Sequence, residues 1–153
     1  MYNFIHLLIN LYNFYILNTA YIFIYNLEKI MTYKVIIAGS RNFNDYEKLK
    51  SYCNFYLKDL INDSNIELVI VSGHARGADT LGEKYALENN YKCEVHPADW
   101  NLHGKAAGYI RNEEMAKVSN ALIAFLEPNS ENKGTLHMIN LAIKYNLIVR
   151  VVQ

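Results

Sequence analysis

The sequence predicts a three-layer α/β domain built on a doubly wound, mainly parallel five-stranded sheet. Two observations predict it. Short runs of Val, Ile, Leu and Ala, apolar throughout rather than at alternate positions, recur between segments of helical spacing; such runs are strands covered on both faces, and sheets of that kind run parallel. Three of these runs also break into a glycine-bearing turn that opens a helix: Lys34-Val-Ile-Ile-Ala-Gly-Ser-Arg41, Leu68-Val-Ile-Val-Ser-Gly-His-Ala-Arg-Gly-Ala-Asp79, and Ala121-Leu-Ile-Ala-Phe-Leu126 leading to Lys133-Gly-Thr135. A buried strand followed by such a turn aims free backbone N–H groups and the positive end of a helix dipole at one point, which suits a phosphate.

The elements follow in order. Lys34–Ala38 is the first strand. Asn44-Asp45-Tyr46-Glu47 reads as a capping box, and Tyr46, Leu49, Tyr52, Cys53, Tyr56 and Leu60 at helical spacing give the helix behind it. Ile66–Ser72 is the second strand. Thr80-Leu-Gly-Glu83 reads as a second capping box, opening a helix that stops near Asn89-Asn90. Lys92–His96 is a shorter strand ended by Pro97, a helix covers roughly His103 to Val118, and Ala121–Leu126 is the fourth strand. Gly134-Thr135 opens the last helix, which ends near Asn146 before the fifth strand, Leu147–Val152. This is a Rossmann-like order, and in such sheets ligands sit beyond the carboxyl ends of the strands at the switch point.

Residues 1–30 stand apart from this rhythm. Met1 to Leu27 carries no Lys, Arg, Asp or Glu. A signal peptide lacks its basic start and small-residue cleavage site here, and three asparagines, Asn10, Asn13 and Asn18, interrupt a transmembrane reading. The favoured reading is an extension of translated upstream bases, with membrane anchoring as the alternative; the domain is then 31–153, beginning at Met31. One domain suits 153 residues. With 15 basic and 15 acidic side chains the net charge is zero, which disfavours nucleic acid as a partner. Two cysteines, Cys53 and Cys93, match no metal or redox spacing and read as reduced thiols of a cytoplasmic protein. His74, His96, His103 and His137 form no metal-binding pair, so no metal and no resident cofactor is expected.

The candidate site residues come from the turns. Gly39 allows close backbone approach, Ser40 offers a hydroxyl, and Arg41 and Arg76 can clamp a phosphate. Gly73 and Gly77 let their loop fold back over a ligand, while Asp79 either caps a helix or accepts from a ribose hydroxyl. A helix beginning near His103 would put Gly104, Gly108, Arg111 and Met115 on one face, with Asn112 beside them; Gly134 and Thr135 complete the set. Asp79 and Arg111 are the catalytic candidates, should there be catalysis, and Asp99 and Glu114 are the further carboxylates near the Arg111 segment. Trp100 either forms a pocket wall or covers the core, the commoner fate of a single tryptophan. The dinucleotide fingerprint is absent, since Arg41 and Asn44 stand where its glycines would be, and so is the P-loop.

Taken together, Val35-Ile-Ile-Ala-Gly-Ser-Arg41, Ser72-Gly-His-Ala-Arg-Gly-Ala-Asp79, Pro97-Ala-Asp-Trp100, His103-Gly-Lys105 and Ala107-Gly-Tyr-Ile-Arg-Asn112 resemble the YspA-type, cpYpsA-related branch of the SLOG superfamily. The resemblance implies a Rossmann-like fold that binds a nucleotide or a nucleotide-derived ligand; a ligand of the NAD or ADP-ribose kind, held by a sensor, is the function expected of these residues. Two relatives frame the alternatives. The LOG phosphoribohydrolases cleave the N-glycosidic bond of nucleoside monophosphates with an R-K-x-x-M arginine and a P-G-G-x-G-T-x-x-E glutamate; Arg111, Met115, Gly134 and Thr135 match, but Met138 holds the glutamate position. The DNA-processing proteins bind single-stranded DNA and share an Arg-Asn like Arg111-Asn112. A second copy of the chain stays open as a partner, and a membrane only if residues 1–30 belong to the protein.

Overall fold

The computed structural model describes residues 11–22, 30–128 and 130–153. The chain divides into two compact units, Met1–Met31 and Thr32–Gln153. In the first, residues 11–22 form helix α1, whose side chains are exposed; the rest of the expected extension, 1–10 and 23–29, lies outside the described residues. Among the described residues no helix is long and apolar enough to cross a membrane.

The second unit alternates strand and helix as its sequence pattern requires. Strand β1 is Met31–Gly39, β2 Ile66–Ser72, β3 Lys92–Val95, β4 Ala121–Phe125 and β5 Ile148–Val152. Between them lie helices α2 (Tyr46–Ile61), α3 (Ala78–Glu88), α4 (Trp100–His103), α5 (Ala107–Val118) and α6 (Lys133–Lys144). The sheet is parallel throughout, in the order β3-β2-β1-β4-β5. Val35 of β1 pairs with Ala121 and Gly39 with Phe125. Successive β1 side chains enter opposite layers: Val35 and Ile37 pack with Leu49, Cys53 and Tyr85 beneath α2 and α3, while Ile36 and Ala38 pack with Met115, Met138 and Leu141 beneath α5 and α6. Burial on both faces explains why the run is apolar at every position. The order reverses direction at β1, so the crevice between the β1 and β4 turns is the switch point.

Three helix starts differ from the sequence expectation. Asp45, not Asn44, caps α2 by accepting the Lys48 N–H at 2.9 Å. Helix α3 begins at Ala78, before the expected box at Thr80, because Gly77 at φ +93° turns the chain early. Thr80 Oγ1 then donates to the Gly77 carbonyl at 2.9 Å, and the Glu83 carboxylate, free of any capping role, accepts from Ser72 Oγ at 2.6 Å. The helix expected from His103 is three pieces: α4, capped by Asp99 through the Leu102 N–H; a 3₁₀ turn over Gly104–Ala106; and α5. Gly104 sits at φ +50°, which ends α4 and takes this glycine off the face shared by Gly108, Arg111 and Met115.

Candidate functional site

A cleft of about 560 Å³ opens outside the carboxyl ends of β1, β2 and β4. Its floor is the end of β1 and the turn behind it, Ala38 to Asn42. Ala75, Arg76 and Asp79 come from the turn after β2, and the loop into α6 brings Ser130 to Thr135. The third wall is Trp100, Lys105 and one face of α5: Gly108, Arg111, Asn112 and Met115.

The turns are tied to one another rather than independently mobile. Ser40, almost wholly buried, shares a 3.0 Å hydrogen bond with the Ser130 hydroxyl across the cleft floor. Arg76 Nε donates to the Arg41 carbonyl at 3.2 Å and its Nη2 to Asn42 Oδ1 at 3.3 Å. Arg76 thus braces the β1 turn from the β2 turn. Arg41 itself makes no side-chain hydrogen bond or ion pair among the described residues and faces the cleft free.

Arg111 is mostly buried and reaches in the other direction. Nη1 donates to the Gly73 carbonyl and, at 3.5 Å, to that of His96, while Nε donates to Asn112 Oδ1 at 3.0 Å. Asn112 in turn donates to the Gly134 carbonyl at 3.2 Å, joining α5 to the start of α6. Asp79 lies 4.0 Å from Arg111 Nη1 and is only 4% exposed. Burial lifts its carboxyl to a pKa of about 6, against the pull of Arg111 and of backbone hydrogen bonds from Ala75, Gly39 and Gly73. Burial likewise lowers the pKa of Arg111.

Helix α6 starts without a side-chain cap. Asn132, left-handed at φ +43°, spends its amide N–H groups on the Glu127 and Ser130 carbonyls, so the first-turn N–H groups at Gly134 and Thr135 have no side-chain acceptor. The cleft is lined by five basic side chains, Arg41, Arg76, Lys105, Arg111 and Lys133, and by two acidic ones, Asp79 and Glu131. A chain of zero net charge therefore concentrates positive charge here, at an open helix N-terminus.

Of the residues singled out in the sequence, Gly39, Ser40, Arg41, Arg76, Asp79, Arg111, Asn112, Gly134 and Thr135 line this cleft, and Gly73 and Gly77 do not. Those two glycines act behind the wall. A methyl on Gly73 would overlap the Arg111 guanidinium, and one on Gly77 the Ser40 carbonyl and the Arg41 backbone. Asp99 and Glu114 are off the cleft; Asp99 caps α4 and Glu114 is exposed. Trp100 takes the pocket-wall place that the sequence left open against core cover, while Lys105, Tyr109 and the Ser130–Lys133 loop line the cleft without having been singled out for the ligand. Lys105 stood in the His103-Gly-Lys105 motif and could have been taken from it; nothing local marks Ser130, which arrives through the path of its loop.

Residues 33–103 match the profile of the YspA, cpYpsA-related SLOG family. The chain is 35% identical over 122 residues to the Gene 61 protein of Mycobacterium phage D29, an alignment covering 76% of this chain and 93% of that one. Among solved structures it is similar to DNA processing protein A (DprA) of Streptococcus pneumoniae, with a TM-score of 0.58 and 20% identity, over 80% of this chain. It spans 50% of the DprA chain, and the likeness is one of fold.

Proposed function

The chain belongs to the YspA, cpYpsA-related SLOG family, and on that premise we propose that its cleft binds a phosphorylated nucleotide, or a nucleotide-derived ligand of the NAD or ADP-ribose kind, as a sensor. SLOG domains generally bind nucleotides. The observation that carries the reading is the charge of the cleft: five basic side chains and the uncapped start of α6 converge on a space of about 560 Å³, the size of a small-ligand site. Arg41, the unengaged guanidinium, and the N–H groups of Gly134 and Thr135 take the phosphate. Arg111 supplies field from behind, held by the Gly73 carbonyl and Asn112.

Holding without cleavage is favoured by Met138. It lines the cleft, 1% exposed, where the phosphoribohydrolases carry the glutamate that meets the charge developing on ribose. One observation favours the second reading, hydrolysis of the N-glycosidic bond: Asp79 is a carboxyl on the cleft wall with a pKa of about 6, within the range of a general acid. A single-stranded DNA site, by contrast, needs an extended groove of at least about four nucleotides.

Thermal shift and base-release assays on the same protein test this. Nucleoside monophosphates and ADP-ribose are expected to raise the melting temperature without appreciable release of free base. Arg41→Ala should weaken phosphorylated ligands on the order of tenfold or more, as a charge-assisted contact worth about 1.5–3 kcal/mol does, and leave the unliganded stability unchanged. Base release at enzyme-like rates, abolished by Asp79→Asn, would replace the sensor with the hydrolase.

A further inference from the structure

We propose that Trp100 is the base-stacking wall of this cleft, the heterocycle of a nucleotide lying against its indole while the phosphate lies beside Arg41 and the start of α6. The inference rests on the nucleotide reading above and adds which end of the ligand meets which wall.

Trp100 is the single tryptophan of the chain. It lines the cleft and yet is 53% exposed, and no residue of α4 is buried. Covering the core therefore does not account for its place. Its position is nonetheless fixed from two sides. Asp99 caps α4 through the Leu102 N–H at 2.9 Å. On the other side the ring edge borders α5: a Cβ placed on Gly108 would stand at an ordinary contact distance, 3.4 Å, from Trp100 Cη2. Tyr109 extends the same wall. It is 51% exposed, and its ring is set edge-on to His137 with centroids 4.6 Å apart at 89°.

Two half-wet aromatic rings thus share a cleft with a concentration of positive charge. A sugar phosphate would satisfy the basic groups and leave both rings in water. A ligand with an anionic end and a planar apolar end covers both, and a nucleotide has that shape. Stacking tolerates any base, since each has a π face, so this wall gives affinity for a base without choosing which one.

The experiment follows tryptophan fluorescence of the full chain, excited where tyrosine does not absorb, during titration with each of AMP, GMP, CMP and UMP and, separately, with ribose 5-phosphate; calorimetry measures all five affinities. At least one monophosphate should bind and change the Trp100 emission, while ribose 5-phosphate binds without changing it. Trp100→Ala should weaken that monophosphate on the order of tenfold and leave ribose 5-phosphate unaffected. Binding of a monophosphate with unaltered emission, or equal losses for both ligands, overturns the stacking assignment alone. No binding by any of the five, nor by ADP-ribose in the thermal-shift assay, overturns the nucleotide reading and this inference with it. A single-stranded oligonucleotide that binds more tightly than every monophosphate, with Trp100 responding, assigns the wall to DNA instead and overturns the proposal.

Discussion

Asp79 is a carboxyl taken almost wholly out of water, with the Arg111 guanidinium at 4.0 Å and the backbone N–H groups of Gly39, Gly73 and Ala75 beside it. Burial favours its neutral form and sets the folded pKa at about 6, above the ordinary 3.8. A carboxyl raised in this way stabilises the fold most below about pH 4, where it is protonated in both states; that contribution is lost as pH climbs through about 6. The natural chain should therefore lose about 2 kcal/mol of unfolding free energy relative to Asp79→Asn from pH 4 to 7, measured by urea denaturation across that range. A difference that is flat, or that grows with pH, would mean that Arg111 outweighs burial. The same contacts explain why Gly73 is a glycine: its missing side chain is the space filled by the Arg111 guanidinium. Gly73→Ala should displace Arg111 and lower both stability and phosphate affinity, read by denaturation and calorimetry on one sample.

At the scale of elements, the helix N-termini around the cleft divide into fixed and open ones. Gly77 starts α3 at φ +93°, against the Ser40 carbonyl, where only glycine is unstrained. Gly77→Ala is expected to cost at least about 2 kcal/mol, seen as a lower urea midpoint. Gly134, in the first turn of α6, has nothing within 4 Å of a built Cβ. Gly134→Ala should leave stability unchanged or raise it by up to about 1 kcal/mol, while weakening a phosphate that approaches its N–H. The contrast separates a glycine of the scaffold from one of the site. It also shows what the sequence could and could not tell. Val35–Ala38 and Ala121–Phe125 were legible as strands because burial on both faces leaves no other pattern, and the turns after them located the cleft. Thr80 misled because a capping box is a local signal, whereas the start of α3 is decided by Gly77 and by Ser72 and His74, which take the Glu83 carboxylate from strand and loop. Trp100 stayed undecided between pocket wall and core cover for a similar reason: whether an indole is covered depends on which elements the fold brings over it, and no residue of α4 is buried.

The whole domain is the sheet and the two helix layers on it, so a chain trimmed to residues 31–153 should unfold in one cooperative step, with fluorescence and circular dichroism tracing the same urea curve. Aggregation of that shorter chain, with the full chain stable only in detergent, would return residues 1–30 to a membrane role. The strand order carries a consequence for how the protein is made. β1 lies at the centre of the sheet, yet its Lys34 N–H finds its partner in Asn120 Oδ1, 86 residues on, and Ser40 meets Ser130 90 residues on. At synthesis rates of about 5–20 residues per second, the ribosome takes about 5–20 seconds to cross such a gap. Through that interval the central strand of the sheet, with its buried run Val35–Ala38, waits with one edge unpaired, open to a neighbouring nascent chain. The cleft is complete only once β4 and the first turns of α6 have arrived, so whatever it binds passes over fragments released before that point.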